Sequence, residues 1–448
     1  MQFGQPVHET HPHILKPGEI TPGITAQEYW DRRASLAQRL PEGAVAILTA
    51  ADVKYRSGAV FHAYRQESNF LYLTGWNEPE SVAVIRNTGK EWGDFVFHLF
   101  CQPKDPAVEQ WNGARNGVQA ATDIFNADHA AEITRLDMIL PDLVKGASQV
   151  FADMGEPGRP GSESSIWSRL RRSGSSPGWP SAISALYPHM NALRAIKSPA
   201  EIANMRRAGQ ISGRVITDAM RRSWTSEKDL HAFLDYRFTV DGCDGPAYIP
   251  VVGGGKNGLC IHYVVNNAPL RPGETVLIDA GGEYGTYVTD ISRAWPLDGR
   301  FTPAQRDLYE AVLRVQRDSV ALCRANAGLS LDDIHARTAA ALLQELRDIG
   351  FDGLTPRDLD ILFPHHVGHY IGLDVHDVPG YGRRVPLRSG HCVTIEPGIY
   401  VPDEDRWPKH FRGMAFRIED SICVDETSAF NLTTEAVKEV VDIEALRD

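Results

Sequence analysis

The stretch Val276-Leu277-Ile278-Asp279-Ala280-Gly281-Gly282-Glu283-Tyr284-Gly285-Thr286-Tyr287-Val288-Thr289-Asp290-Ile291 constrains the fold more than any other part of the chain. Two apolar, strand-like runs flank a glycine-rich centre, which is the pattern of a β-hairpin. A turn at Tyr284-Gly285 pairs Asp279 with Asp290, with Cβ atoms roughly 4.5–5.5 Å apart. Two carboxylates that close, among Ile278, Val288 and Ile291, repel unless a shared proton or a metal ion lies between them. Either Asp alone reads as a turn residue. The facing pair does not.

Further donors lie downstream. Pro364-His365-His366-Val367-Gly368-His369-Tyr370-Ile371-Gly372-Leu373-Asp374-Val375-His376 packs four histidines into 12 positions. Val393-Thr394-Ile395-Glu396 ends an apolar strand on a glutamate, and Arg417-Ile418-Glu419 puts Arg417 and Glu419 on one strand face. Four carboxylates with one imidazole make a hard, oxygen-rich set. It suits two divalent ions such as Mn²⁺ or Co²⁺ better than a structural zinc, which favours thiolate and imidazole.

Composition fits that reading. A chain of 448 residues suggests two domains, or three. The net charge of −12 disfavours nucleic acid as a partner, and Arg169, Arg171 and Arg172 are the nearest thing to a basic patch. No run reaches the roughly 18 apolar residues of a membrane span. The first residues lack the basic start and apolar core of a secretory signal. Six scattered cysteines without a C-x-x-C pair fit reduced thiols, so a cytoplasmic location is expected.

Along the chain, residues 1–24 read as an N-terminal arm and 25–40 as an amphipathic helix. Strands are expected at Val45–Leu48, Asn69–Leu73, Val82–Ile85 and Phe95–Phe100, giving an α/β domain over 25–185. Its last part, about 155–185, has the Gly, Pro and Ser content of a linker. An α+β domain follows over 186–448. Its helices are signalled by Ser198-Pro199 with Glu201, by Thr302-Pro303 and by Ser330-x-x-Asp333, and its strands cluster at 247–295 and 392–424.

Two familiar motifs fail on context. Gly174-Ser175-Ser176-Pro177-Gly178 fits G-x-S-x-G but sits in loop composition, not between a strand and a helix. Gly253-Gly254-Gly255-Lys256-Asn257-Gly258 fits G-x-G-x-x-G, yet Leu259–Val265 reads on as a strand, so no helix N-terminus is expected to hold a pyrophosphate.

An Asp pair 11 apart followed by His, Glu and Glu resembles the metal set of the pita-bread metallopeptidases, which include aminopeptidase P, prolidase and methionine aminopeptidase. Tyr64–Gly75, Trp111-Asn112-Gly113-Ala114-Arg115 and Lys197–Ile202 are similar to aminopeptidase P. Thr10-His11-Pro12-His13, Pro17-Gly18-Glu19, Thr21-Pro22-Gly23 and Pro364–His369 are most similar to the mitochondrial-type aminopeptidase P3 branch.

The resemblance implies an α/β N-terminal domain and an α+β catalytic domain of pita-bread fold. It implies a dinuclear centre, Mn²⁺ with Co²⁺ or Zn²⁺ as alternatives, held by Asp279, Asp290, His369, Glu396 and Glu419. The activity implied is removal of the first residue from peptides with proline at the second position, by a dimetal-bridging hydroxide. Glu396 would also handle the proton, His262 and His376 would bond the carbonyl, and His365 would help form the proline pocket. Arg417 and Tyr400 would orient ligands and intermediate, and Trp111 would line the substrate site unless it is an ordinary core tryptophan. A homodimer or homotetramer is implied as well. The alternatives are a prolidase, which shares the metal set but cleaves only Xaa-Pro dipeptides, and a metal-free pita-bread binding module.

Overall fold

The computed structural model describes residues 3–153, 165–168 and 182–447. Most of the expected linker lies outside them, as do the motif at 174–178 and Arg169, Arg171 and Arg172. The chain divides into two compact units, Met1–Arg194 and Ala195–Asp448. The boundary falls a little after the expected 185/186, because the helix Tyr187–Arg194 is tied to the first unit. Asp153 accepts from Leu186 N at 2.9 Å, and Arg194 donates to Asn69 Oδ1 at 2.7 Å.

The first unit is built on a five-stranded sheet ordered His129–Glu132, Phe95–Cys101, Val82–Asn87, Val45–Thr49 and Val150–Phe151. The three central strands are antiparallel and each edge strand runs parallel to its neighbour. The helix Ala26–Arg39 starts where Thr25 Oγ1 accepts from Glu28 N. The segment expected as a strand at 69–73 is instead the helix Ser68–Thr74. Its apolar run suits either element, and the ends decide. Glu67 Oε2 accepts from Phe70 N at 2.6 Å, and Gly75 closes the helix at φ 66°. The arginines of the neighbouring helix then cap its free carbonyls, Arg32 on Tyr72 O and Arg33 on Leu73 O.

In the second unit, helices Pro199–Met220, Pro303–Ala321 and Leu331–Asp348 each begin with a capping box, Ser198/Glu201, Thr302/Gln305 and Ser330/Asp333. They surround short sheets whose registers join into two long antiparallel ladders. The first runs from Thr275↔Pro296 to Tyr284↔Tyr287. Ala280 N→Ile291 O and Thr289 N→Gly282 O bridge the gap between its two strand pairs. The second runs from Cys392↔Cys423 to Tyr400↔Ala415, with Ile418 N→Pro397 O in its middle. Valines, isoleucines and aromatics of both ladders (Val276, Ile278, Trp295, Val393, Ile395, Phe416) are buried in one core.

The strand expected over Leu259–Val265 is absent. A 3₁₀ turn, Gly255–Leu259, leads into an irregular loop. The fully buried Glu227 carboxylate accounts for this by taking the donors of Gly254 N, Asn257 Nδ2, Tyr263 OH and Ala268 N at 2.8–3.0 Å.

Glu78 in the first unit offers a pH test. Burial raises its pKa to about 7, despite a 2.6 Å hydrogen bond from Asn116 N. A carboxyl raised above its unfolded value favours folding while protonated and loses that contribution as pH climbs through the folded value. Glu78→Gln keeps the acceptor and removes the charge. It should therefore raise the thermal unfolding midpoint of the full chain at about pH 8 and leave it unchanged near pH 4. A gap that does not close at low pH would contradict the assignment.

Candidate metal centre

The first ladder corrects the expected register. Its turn residues are Gly285 and Thr286, both at positive φ (55° and 71°). That is the backbone of a two-residue hairpin loop, and a turn at Tyr284-Gly285 would have required it of a bulky tyrosine instead. Asp279 therefore pairs with Ser292, and Asp290 lies two residues along, across from Gly281. The two carboxylates still share a face as diagonal neighbours. The Tyr248 hydroxyl reaches both, at 2.6 Å from Asp279 Oδ1 and in close contact with Asp290 Oδ1.

The second ladder puts Glu396 across from Glu419 by continuity of register. Side chains on its Glu face then pair as Cys392–Cys423, Thr394–Ser421, Glu396–Glu419 and Gly398–Arg417. The hydroxyl pair next to the glutamates ties the ladder to the other ligands. Ser421 Oγ accepts from Asp290 N at 3.1 Å and donates to Asp290 O at 3.0 Å. Thr394 Oγ1 accepts from His369 N at 3.1 Å, while Thr394 N donates to His369 O at 2.8 Å.

Asp290, His369 and Glu419 each aim one ligand atom into a space where those atoms lie within 4.8 Å of one another. His369 Nε2 is 3.5 Å from Asp290 Oδ2 and 3.6 Å from Glu396 Oε1. Asp279 joins through Arg417 Nη2, which donates to its Oδ2 at 2.8 Å. All five expected ligands thus meet where the two ladders converge.

The electrostatics are those of a site short of positive charge. Burial and then Asp290 push Asp279 up to about 7. Burial, followed by the surrounding carboxylates, drives Glu419 far above the usual range, and burial raises Glu396. At Asp290 burial pushes upward most strongly, but the bond and charge of His369 together with the bonds to Tyr248 and Asp279 outweigh it and hold the carboxyl low. Burial opposes charge on His369, yet Asp290 and Glu396 raise it to about 9. Glu419 Oε1 is buried with no hydrogen-bond partner among the described residues. An orphaned carboxylate oxygen within an oxygen-rich donor set fits a divalent cation.

Arg417 organises one wall. Its Nε donates to Ser292 Oγ at 2.7 Å, its Nη1 to Tyr400 OH at 2.6 Å, and Ser292 Oγ donates to Glu419 Oε2 at 2.6 Å. Gly398 leaves room, since a Cβ there would sit 3.2 Å from Arg417 Cβ. The Tyr400 hydroxyl donates onward to His365 Nε2 at 2.9 Å, and His365 Nδ1 donates to His366 O at 2.9 Å. Burial and then Arg417 pull His365 down to about 3, so the ring is neutral at ordinary pH. On the open side, the exposed His376 packs edge-on to His369 with ring centres 4.5 Å apart. Burial and the charge on His369 lower the His376 pKa, and His262, also exposed, is close enough to add to that shift. Trp111 belongs to the first unit, where its side chain is 86% exposed, so it is not a core tryptophan.

Sequence reasoning missed Tyr248 and Ser292. Neither falls in a motif, and Ser292 becomes visible only once the register is known.

Two family models match the chain: Metallopeptidase family M24 over residues 203–426, and the aminopeptidase P N-terminal domain over 29–151. Intermediate cleaving peptidase 55 of Saccharomyces cerevisiae is 45% identical over 99% of this chain and 88% of its own. Human Xaa-Pro aminopeptidase 3 is 36% identical over 99% and 90%. The crystal structure of yeast Icp55 superposes with a TM-score of 0.89 at 42% identity, covering 96% of this chain and 99% of the other.

Arg293 and Asp420 stand on the reverse faces of the two ladders and form a fully buried ion pair at 2.7 Å. Removing one partner of such a pair costs about 3–5 kcal/mol. Asp420 would keep Lys438 at 2.5 Å, but the carbonyls of Ser292, Glu419 and Ala436 would lose the Arg293 donors. Arg293→Met should lose roughly that much in chemical unfolding. A loss below about 1 kcal/mol would show that the pair does not hold the ladders together.

Proposed function

The chain belongs to metallopeptidase family M24, with a pita-bread catalytic domain behind an aminopeptidase P N-terminal domain, and from that premise we propose how it works as a metallo-aminopeptidase. It removes the first residue from peptides with proline at the second position. The observation that carries this reading is the convergence of five donors, in family order, where the two ladders meet, beside a neutral histidine.

Asp279, Asp290, His369, Glu396 and Glu419 would hold two divalent ions, which we take to be Mn²⁺ because the set is rich in carboxylate oxygen. Ions bound there supply the Lewis acidity that activates water and polarises the carbonyl before proline. The chain's own residues do the rest. Glu396, whose pKa is raised by burial, takes a proton from the attacking water and passes it to the proline nitrogen as the C–N bond breaks. Arg417 fixes Asp279 and Tyr400, and Tyr400 keeps His365 oriented. The neutral His365 ring, packed edge-on to Phe363 at 4.9 Å, offers an apolar surface to the proline ring. His376, packed against His369, and His262 near it would hydrogen-bond the reacting carbonyl.

Self-association as a dimer or tetramer belongs to the same reading. The isolated hairpin Tyr55–Phe61 supports it, because it exposes Tyr55, Val60 and Phe61, and a lone two-stranded hairpin is marginal in water. Six free thiols support a reducing, cytosol-like compartment.

The test compares metal-stripped and Mn²⁺-reconstituted protein on an Xaa-Pro dipeptide and an Xaa-Pro-Yaa tripeptide. Release of the first residue from the tripeptide should require metal. It should fall by more than about 100-fold in Asp290→Ala, since even outer-shell partners are worth 10–100-fold. Cleavage confined to the dipeptide would make the enzyme a prolidase. No cleavage of either, with metal bound, would leave a binding module.

A further inference from the structure

The face of the second ladder that carries Glu396 and Glu419 has a third matched pair at its far end. Cys392 and Cys423 are direct cross-strand partners, four residues from Glu396 and Glu419 respectively. The backbone of Cys392 is engaged on the other side, where its carbonyl accepts from Ile371 N at 3.1 Å. The two cysteines therefore form a non-hydrogen-bonded pair, the closer type, with Cα atoms about 4.5 Å apart. A disulfide spans Cα separations of about 4.4–6.8 Å, so this backbone can accept one. The thiols are in hydrogen-bonding contact, and both are free.

The two sulfurs are not equivalent. Cys392 is fully buried, while Cys423 keeps 6% of its surface exposed. The bond from the Cys392 thiol pulls the Cys423 thiol down in pKa, with help from the Lys197 charge. An attacking thiol of lowered pKa with a resolving thiol beside it is the arrangement that peroxides oxidise.

We propose that Cys392 and Cys423 form a peroxide-oxidisable dithiol, a modification site coupled along the ladder to Glu396 and Glu419. Cys423 Sγ attacks one oxygen of hydrogen peroxide and breaks the O–O bond. A sulfenic acid forms, and the other oxygen leaves as water with the thiol proton. Cys392 Sγ then attacks the sulfenic sulfur, the S–S bond forms, and the hydroxyl leaves as a second water with the Cys392 proton. Two electrons pass from the sulfurs to the peroxide.

The consequence for the site follows from geometry. A disulfide fixes the Cβ separation near about 3.8 Å and prefers Cα atoms about 5.5–6 Å apart, so a pair at about 4.5 Å must readjust its backbones at this end when the bond forms. The Thr394–Ser421 pair lies between the disulfide and the glutamates, and it anchors the backbones of His369 and Asp290. Site geometry has to hold within about 0.5 Å, and a misplacement near 1 Å can cost about 100-fold in rate.

The test treats Mn²⁺-reconstituted enzyme with hydrogen peroxide, alkylates the remaining thiols, digests without reduction and maps the peptides by mass. The expected result is a peptide pair joined through Cys392 and Cys423, with tripeptide hydrolysis down by about tenfold or more. Dithiothreitol should reverse both changes. Neither should occur in Cys423→Ala relative to that variant before peroxide, and if the variant does not fold, the wild-type peptide map decides alone. Peroxide that modifies the exposed Cys260 while Cys392 and Cys423 remain alkylatable would overturn the proposal. A quantitative cross-link with unchanged hydrolysis would overturn the coupling. The cross-link is read by mass, so it stands or falls independently of the peptidase reading, on which only the activity change rests.

Discussion

One buried ion pair fixes how the two halves of the metal centre meet. Arg293 stands on the reverse face of the ladder that carries Asp279 and Asp290, and Asp420 on the reverse face of the ladder that carries Glu396 and Glu419. Both side chains are completely buried, and such a pair is tolerable only if every remaining polar atom is satisfied. Here it is. Asp420 also accepts from Gln316, Thr433 and Lys438, while Arg293 donates to the carbonyls of Ser292, Glu419 and Ala436. Ser292 and Glu419 belong to the site, Thr433, Ala436 and Lys438 to the segment behind the ladders, and Gln316 to the helix Pro303–Ala321. A shift in the pair would move Ser292 and Glu419 together.

On the opposite faces the balance is reversed. Four carboxylates meet with one imidazole and one guanidinium, and three of the four are raised toward the neutral form. The Tyr248 hydroxyl can give its single proton to only one of the two aspartates it touches, so the other contact is favourable only when that carboxyl is itself protonated. Folding this chain thus assembles a set of groups short of positive charge, and binding a divalent cation would add directly to stability.

Much of this could be read before the fold was known, for reasons that can be named. Capping residues at Ser198, Thr302 and Ser330 act within one helical turn, so local sequence reveals them. Asp279 and Glu396 stand at the ends of apolar strands, and charged residues in such places stand out. What escaped was set by longer-range chemistry. The register of the Asp hairpin turned on whether Tyr284 or Thr286 takes the left-handed backbone. The run at 69–73 becomes helical because Glu67 caps it and two arginines from another helix close it. The loop after Gly254 is held off a strand by Glu227, some 30 residues earlier, and Tyr248 and Ser292 carry no spacing signal.

The central claim is that the two ladders, registered by Arg293 and Asp420, hold two divalent ions on their facing carboxylate sides. Anomalous diffraction from crystals grown with Mn²⁺ tests it without reference to any substrate. The account predicts two anomalous peaks roughly 3.5–4 Å apart. They should lie among Asp279, Asp290, His369, Glu396 and Glu419, with Glu419 Oε1 in contact with metal. A single ion elsewhere in the chain, or none with Glu419 Oε1 still unpartnered, would contradict it.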